Sequence, residues 1–238
     1  MTGSDRANNM TQPRIAITMR VVQAEGYNEP RDAISHDWIA WLGQAGLTPI
    51  PLSNKIQDAA VWLRDLAINA VILSNGNDVS AFAGEEFSSK SVDIGRDAFE
   101  RKLLQHCIER NVPVLGVCRG MQFINAFYGG GIERDVKSRA GMSHAGTLHD
   151  MEITHPVLQG WAGARRVSVN SFHNHGVLQN MLAEELTTLA AAGDVVEALI
   201  HRTDPVLGIQ WHPERTGGCE TLDKAIVQSM LNGYRELR

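Results

Sequence analysis

The sequence predicts an α/β domain: a mostly parallel sheet with helices on both faces. Three observations carry that expectation. Short apolar runs alternate with segments of helical period at close intervals. The chain has 238 residues, 43% of them hydrophobic, enough for one filled core. The run PVLGV at 113–117 enters a cysteine held between two glycines and passes at once into a helical pattern.

Residues 1–13 are polar, lack the apolar core of a secretory signal and read as a flexible tail ahead of a single domain over 14–238. A strand is expected over 14–19. A helix follows over 35–47, with Trp38, Ile39, Trp41 and Leu42 at helical spacing and Gly46 at its close. The step repeats as strand 48–53, a helix near 56–68, strand 70–74, a helix near 95–110 and strand 112–117. In such sheets ligands collect at the carboxyl ends of the strands. A further helix begins at Arg119. Residues 128–150 are polar and glycine-rich without a helical period, which suggests a long loop with room for a hairpin within it. Strands are expected over 165–170, 186–192, 195–202 and 206–211, and Leu222, Ile226, Met230 and Leu231 space out a closing helix. Trp38, Trp41 and Trp62 are expected in the core.

Net charge is −5 and dispersed, so no basic stripe points to a nucleic acid. No apolar run approaches the roughly 20 residues that span a bilayer, which leaves the cytoplasm as the expected location. Three cysteines without paired spacing are expected to be free thiols.

Cys118 sits where a buried strand meets a helix. A tight turn there strains its central residue and crowds the positions two before and two after, so glycine at 116 and 120 is a steric need. The turn lifts the sulfur to the end of the sheet beside a helix amino end, whose dipole favours thiolate. The backbone N–H of Arg119 then points where an attacked carbonyl would develop negative charge. Taken alone, the motif also fits a buried structural cysteine. GIQWHPE at 208–214 supplies a base: His212 and Glu214 project to one side of extended backbone, with Pro213 restraining His212 between them. Thiol, imidazole and orienting carboxylate are the set that nucleophilic catalysis requires.

LGVCRGMQ with GIQWHPE resembles the class I glutamine amidotransferase superfamily, and the Cys-Arg-Gly-Met-Gln wording resembles its gamma-glutamyl hydrolase branch. The resemblance covers nearly the whole chain. It implies a flavodoxin-like sheet, a Cys118/His212/Glu214 triad, no cofactor and no metal, and attack on the γ-carbonyl of a small γ-glutamyl substrate. It further implies that LSNGNDV at 73–79 supplies a second oxyanion donor, the N–H of Gly76, with Asn75 standing where the family commonly has glycine. Gln122 falls at a position near the glutamyl group. VNSFHNHG at 169–176 falls on the segment that holds the α-amino and α-carboxylate groups, including Ser171, Phe172 and His173.

The Arg, Tyr, Glu, Arg and Asp-Trp pattern of 20–38 resembles the gamma-glutamyl-CDP-amidate hydrolases. Arg20 falls just past the first strand, at the active end of the sheet, with Tyr27 and Arg31 expected in the loop behind it, and its planar fork suits a diphosphate. A γ-glutamyl-γ-aminobutyrate hydrolase, and a glutaminase subunit feeding ammonia to a separate synthase, are the alternatives, and a homodimer is left open. His173 and His175 have a metal-ligand spacing without further ligands at finger-like distance, so substrate-facing or hydrogen-bonded roles are expected. Cys107 reads as core filling, and Cys219 as a turn residue.

Overall fold

The computed structural model describes residues 12–80, 87–140 and 145–238, so residues 1–11 of the expected tail and 141–144 of the expected loop lie outside the described residues. The chain runs β1 (Arg14–Thr18), β2 (Arg20–Gln23), β3 (Pro30–Ala33), α1 (His36–Gln44), β4 (Thr48–Leu52), α2 (Ala59–Asp65), β5 (Ile68–Leu73), α3 (Ile94–Glu109), β6 (Val114–Val117) and α4 (Arg119–Phe127). It continues through α5 (Val136–Ala140), β7 (Ala145–Ile153), α6 (Pro156–Ala162), β8 (Arg166–Phe172), β9 (Val177–Leu178), β10 (Leu186–Ala192), β11 (Val195–His201), β12 (Val206–Ile209) and α7 (Glu220–Met230).

The fold is α/β. Five parallel strands, β4-β1-β5-β6-β12, form the centre, and β11, β10, β7 and β8 extend it antiparallel, with β9 paired to β11. Strand residues alternate between two apolar cores. Ile15, Ile17, Ile72 and Leu115 face α1, α6 and α7, where Trp38, Leu42 and Ile226 pack. Ala16, Val71, Leu73 and Val114 face α2, α3 and α4, where Leu63, Leu103 and Ile124 pack. Among the described residues no helix is long and apolar enough to cross a membrane. Cys107 is core filling as expected, and burial pushes its thiol up to about 12.

The chain leaves β1 towards β4 on one side and returns to β5 on the other, so strand order reverses at the β1/β5 boundary, the place where open α/β sheets leave a crevice. β12 runs parallel to β6, and two reversals through β11 and β10, then two through β7 and β8, bring β8 to the same direction. The segments after β1, β5, β6, β8 and β12 therefore emerge at one end.

Three expectations are corrected. Trp62 is 48% exposed, because the short α2 turns only Leu63 inward, whereas Trp38 is fully buried. The stretch after Arg20 is an antiparallel hairpin, with Val21 opposite Asp32 and Val22 opposite Arg31. Residues 145–153 form a strand along β8, not loop. Its inward position His149 meets the buried Glu197 of β11 at 3.0 Å, a polar pair that hides the apolar alternation.

Candidate active site

β6 delivers Cys118 to the end of the sheet. The residue has φ 54° and ψ −107°, a conformation costing about 1–3 kcal/mol that persists only where the surroundings fix it. They do so on two sides. Cys118 N–H donates to the Ile209 carbonyl at 2.8 Å, extending the β6/β12 ladder into the turn. The flanking glycines allow the approach: a Cβ on Gly116 would sit 2.7 Å from the Gly120 carbonyl, and one on Gly120 would collide with the backbone of Leu73. Cys118 is 8% exposed, at the start of α4.

The same ladder brings the imidazole in, since Ile209 lies three residues before His212. Asn170 of β8 then clamps the backbone: its Oδ1 accepts from His212 N–H and its Nδ2 donates to the His212 carbonyl, both at 2.9 Å. His212 Nδ1 lies 2.8 Å from Glu214 Oε1, and because a carboxylate only accepts, Nδ1 carries the hydrogen. That leaves Nε2 turned away from the carboxylate, buried and closing no hydrogen bond among the described residues. Burial alone lowers the His212 pKa and is the largest single influence on it. Interaction with Cys118, then with Glu214, outweighs burial and raises it to about 9. Phe172 stands edge-on to the ring at 5.5 Å and is itself covered by the Arg215 guanidinium. Asn75 accepts from Trp38 Nε1 at 3.2 Å, while its Nδ2 abuts His212 Nδ1 at 3.5 Å, a contact between two donors and not a bond.

In front of the sulfur lies a cavity of about 400 Å³. Of the residues singled out from the sequence, Cys118, Arg119, Gly76, Gln122, Phe172, His173 and Arg20 line it. His212 and Glu214 are buried and do not line it, and Ser171 is buried in β8 next to Phe172 of the wall. Gly76 has φ +86°, and the Arg20 side chain lies across it so closely that a Cβ there would be 2.8 Å from Arg20 Cβ. Among the described residues the Arg20 guanidinium makes no hydrogen bond or ion pair, so it presents a free cation to the cavity. Gln122 Nε2 donates to the His175 carbonyl at 2.9 Å, and His173 Nδ1 donates to the same oxygen at 2.8 Å, which folds 173–175 against α4. Asp78 contributes an acidic group 3.6 Å from His175. Cys219 lies at the head of α7, beside Thr221, and does not line the cavity. Among the described residues no group of three or more His, Cys, Asp or Glu is placed to hold a metal ion.

Two features escaped the sequence. Asn170 sits within VNSFHNHG, but nothing in its spacing marks it as the clamp on His212. The side chain of Arg119, the residue after Cys118, is drawn into ion pairs with Asp97 and Glu100.

The peptidase C26 family model matches residues 13–214. The gamma-glutamyl-CDP-amidate hydrolase of Campylobacter jejuni is 31% identical over 212 residues, spanning 87% of this chain and 93% of that protein. The gamma-glutamyl-gamma-aminobutyrate hydrolase of Escherichia coli is 23% identical, spanning 94% of each. A glutamine amidotransferase from Thermotoga maritima superposes with a TM-score of 0.58 at 13% identity, covering 94% of this chain and 85% of its own, a likeness of fold.

Proposed function

The chain belongs to the peptidase C26 family, and from that premise we propose that it hydrolyses a γ-glutamyl amide through a thioester on Cys118. The observation that carries the reading is one connected side-chain set: a strained cysteine that lines the cavity at a helix start, an imidazole coupled to it, and a buried carboxylate on that ring's Nδ1. With its pKa near 9, His212 is protonated at neutral pH and faces the sulfur as its counter-ion. The Cys118 thiolate attacks the γ-carbonyl carbon, and the electron pair displaced to oxygen is held by the N–H groups of Arg119 and Gly76. As the tetrahedral intermediate collapses, the C–N bond breaks and His212 Nε2 gives its proton to the departing nitrogen. Water then loses a proton to Nε2 and adds to the thioester, and the thiolate leaves with glutamate released.

The leaving group is proposed to be a nucleoside diphosphate amidate. Arg20 supports this: it is an unpaired guanidinium on the cavity wall, packed over Gly76 and thus beside the reacting carbonyl, and its fork can give two charge-assisted hydrogen bonds to phosphate. The relative from Campylobacter jejuni carries that substrate in its name.

The test compares turnover of γ-glutamyl-CDP-amidate, γ-glutamyl-γ-aminobutyrate and glutamine by wild type and Arg20→Ala. The nucleotide amidate should be preferred, and Arg20→Ala should lower its kcat/KM roughly 10- to 100-fold, as for a lost charged hydrogen bond of about 1.5–3 kcal/mol, while leaving the others nearly unchanged. Equal slowing of all three sinks the phosphate role. Preference for γ-glutamyl-γ-aminobutyrate selects the amine hydrolase, and activity on glutamine only with a second protein selects the ammonia donor.

A further inference from the structure

Arg119, which lines the cavity, belongs to a buried charged cluster. α3 turns Arg96, Asp97 and Glu100 inward, and Arg119 meets them from α4; all four are buried. Arg119 is ion-paired with both Asp97 and Glu100, and Arg96 Nε donates to Glu100 Oε1 at 2.9 Å. Two guanidinium groups thus balance two carboxylates.

The other donors of Arg96 all go to the loop after β5. Nη2 donates to the Ser74 carbonyl at 2.7 Å and to Ser74 Oγ at 3.2 Å. Nη1 donates to the Asn75 carbonyl at 3.0 Å and to Asn77 Oδ1 at 3.1 Å. Each of the five guanidinium N–H groups has an acceptor.

We infer that Arg96 is the positioning residue of the oxyanion site: by holding the Asn75 carbonyl on the buried side of the loop, it turns the N–H of Gly76 into the cavity. A trans peptide is planar and sends its C=O and N–H in opposite directions, and the chain has no cis peptide among the described residues. With the Asn75 oxygen fixed to Arg96, the Gly76 N–H is left facing the cavity that Gly76 lines. Among the described residues no acceptor takes that N–H, so it is available to a ligand. Turning this peptide over would break the Arg96 bond and aim a carbonyl oxygen at the developing oxyanion.

The cluster also reaches the other donor. Arg119 offers its own backbone N–H at the elbow while its guanidinium shares Glu100 with Arg96, so both donors hang from one carboxylate. The inference rests on the thioester reading above, since it assigns the two N–H groups to that reaction.

The test uses Arg96→Lys, which keeps the buried charge but cannot span two carbonyls and a carboxylate, and Arg96→Gln, with thermal melts to show which variant is folded. Each is assayed on γ-glutamyl-p-nitroanilide and, separately, for iodoacetamide alkylation of Cys118 read by peptide mass. Alkylation is displacement at a saturated carbon and develops no carbonyl oxyanion, so it reports the sulfur and His212 without the donors. In a folded variant kcat should fall roughly 10²-fold, the cost of losing one oxyanion donor, with KM and the alkylation rate within about threefold of wild type. Unchanged kcat, alkylation falling in step with kcat, or failure of both variants to fold overturns the inference and leaves Arg96 a structural residue. Wild type inactive on every γ-glutamyl amide overturns the thioester reading first and the inference with it, whereas active wild type with equally active variants removes the inference alone.

Discussion

Replacing Gly120 with alanine should cost both stability and rate, and the structure sets the size of each. A Cβ at 120 would lie 2.8 Å from the carbonyl carbon of Leu73 and 3.0 Å from its Cβ, with the Leu73 oxygen closer still. Carbon atoms rest about 3.5–4.0 Å apart, so the start of α4 and the end of β5 must separate by roughly 1 Å. Neither can yield through a flexible side chain, because β5 is held by β1 and β6 and Gly120 faces its backbone. Overpacking of this kind costs about 1–3 kcal/mol, and backbone against backbone puts it near about 3. At about 2–4 °C per kcal/mol for a chain of this size, the melting temperature should drop by about 6–12 °C. The displaced segments carry Cys118 and Arg119 on one side and lead to Gly76 on the other, and a 1 Å error in such geometry can cost about 10²-fold in kcat. Gly160 is the control. It lies in α6 with nothing within 4 Å of its would-be Cβ, so Gly160→Ala should stabilise by about 0.5–1 kcal/mol through helix propensity alone. The measurements are calorimetric melts of the two variants and kcat on a γ-glutamyl amide. A Gly120→Ala protein that melts within about 2 °C of wild type at full activity would refute the steric account of the turn.

Three further outcomes follow from the titrating groups. In Cys118→Ala the contributions that raise His212 from the sulfur vanish while burial remains, so its imidazole, followed by NMR, should titrate below the wild-type value of about 9; an unmoved titration would mean the sulfur is not its partner. In wild type the proton on His212 is held below about 9 and lost above it, so kcat/KM should decline through that pH as the acid for the leaving nitrogen disappears. Burial, opposed by the hydrogen bond from Trp211 and reinforced by Glu214 and Glu220, raises Asp223 to about 7. A raised carboxyl binds its proton more tightly when folded, so its stabilising share is complete below the ordinary carboxylate range and is lost as pH rises towards 7. Asp223→Asn should therefore gain stability relative to wild type between pH 4 and 7 in denaturant titrations, and parallel curves would refute the burial argument.

The elements legible in the sequence were those whose neighbours are apolar. Ile15 and Ile17 against Ala16, or Ile72 against Val71 and Leu73, show the two-residue alternation because both faces of the central sheet meet hydrophobic helices. Cys118 with Gly116 and Gly120, and His212 with Glu214, were legible because their geometry is local: a turn, and two positions apart on extended chain. β7 was not, since its inward His149 is matched by Glu197, two strands away in the sheet and 48 residues away in the chain. The hairpin of β2 and β3 was not, since it pairs only with itself and leaves Val22 and Tyr27 exposed. Asn170 clamps a backbone 42 residues on, and no spacing within its own segment encodes that contact.

The charges of α3 were the hardest to read, and the reason lies in the end of the sheet itself. When β5 gives way to the loop at Ser74, the carbonyls of Ser74 and Asn75 leave the strand ladder while still buried. Buried carbonyls without donors are costly, and apolar packing could not satisfy them without closing the cavity that the site needs. A guanidinium meets both at once and carries three more donors for Glu100, Ser74 Oγ and Asn77. Burying that cation then calls for carboxylates, and two carboxylates call for Arg119. RDAFERK therefore has the composition of a solvated helix face because the sheet's end requires charge inside, and an apolar substitution at Arg96 that improved local packing would take the Arg96 donors from both carbonyls and leave Asn75 only the 3.4 Å bond from Ser74 Oγ.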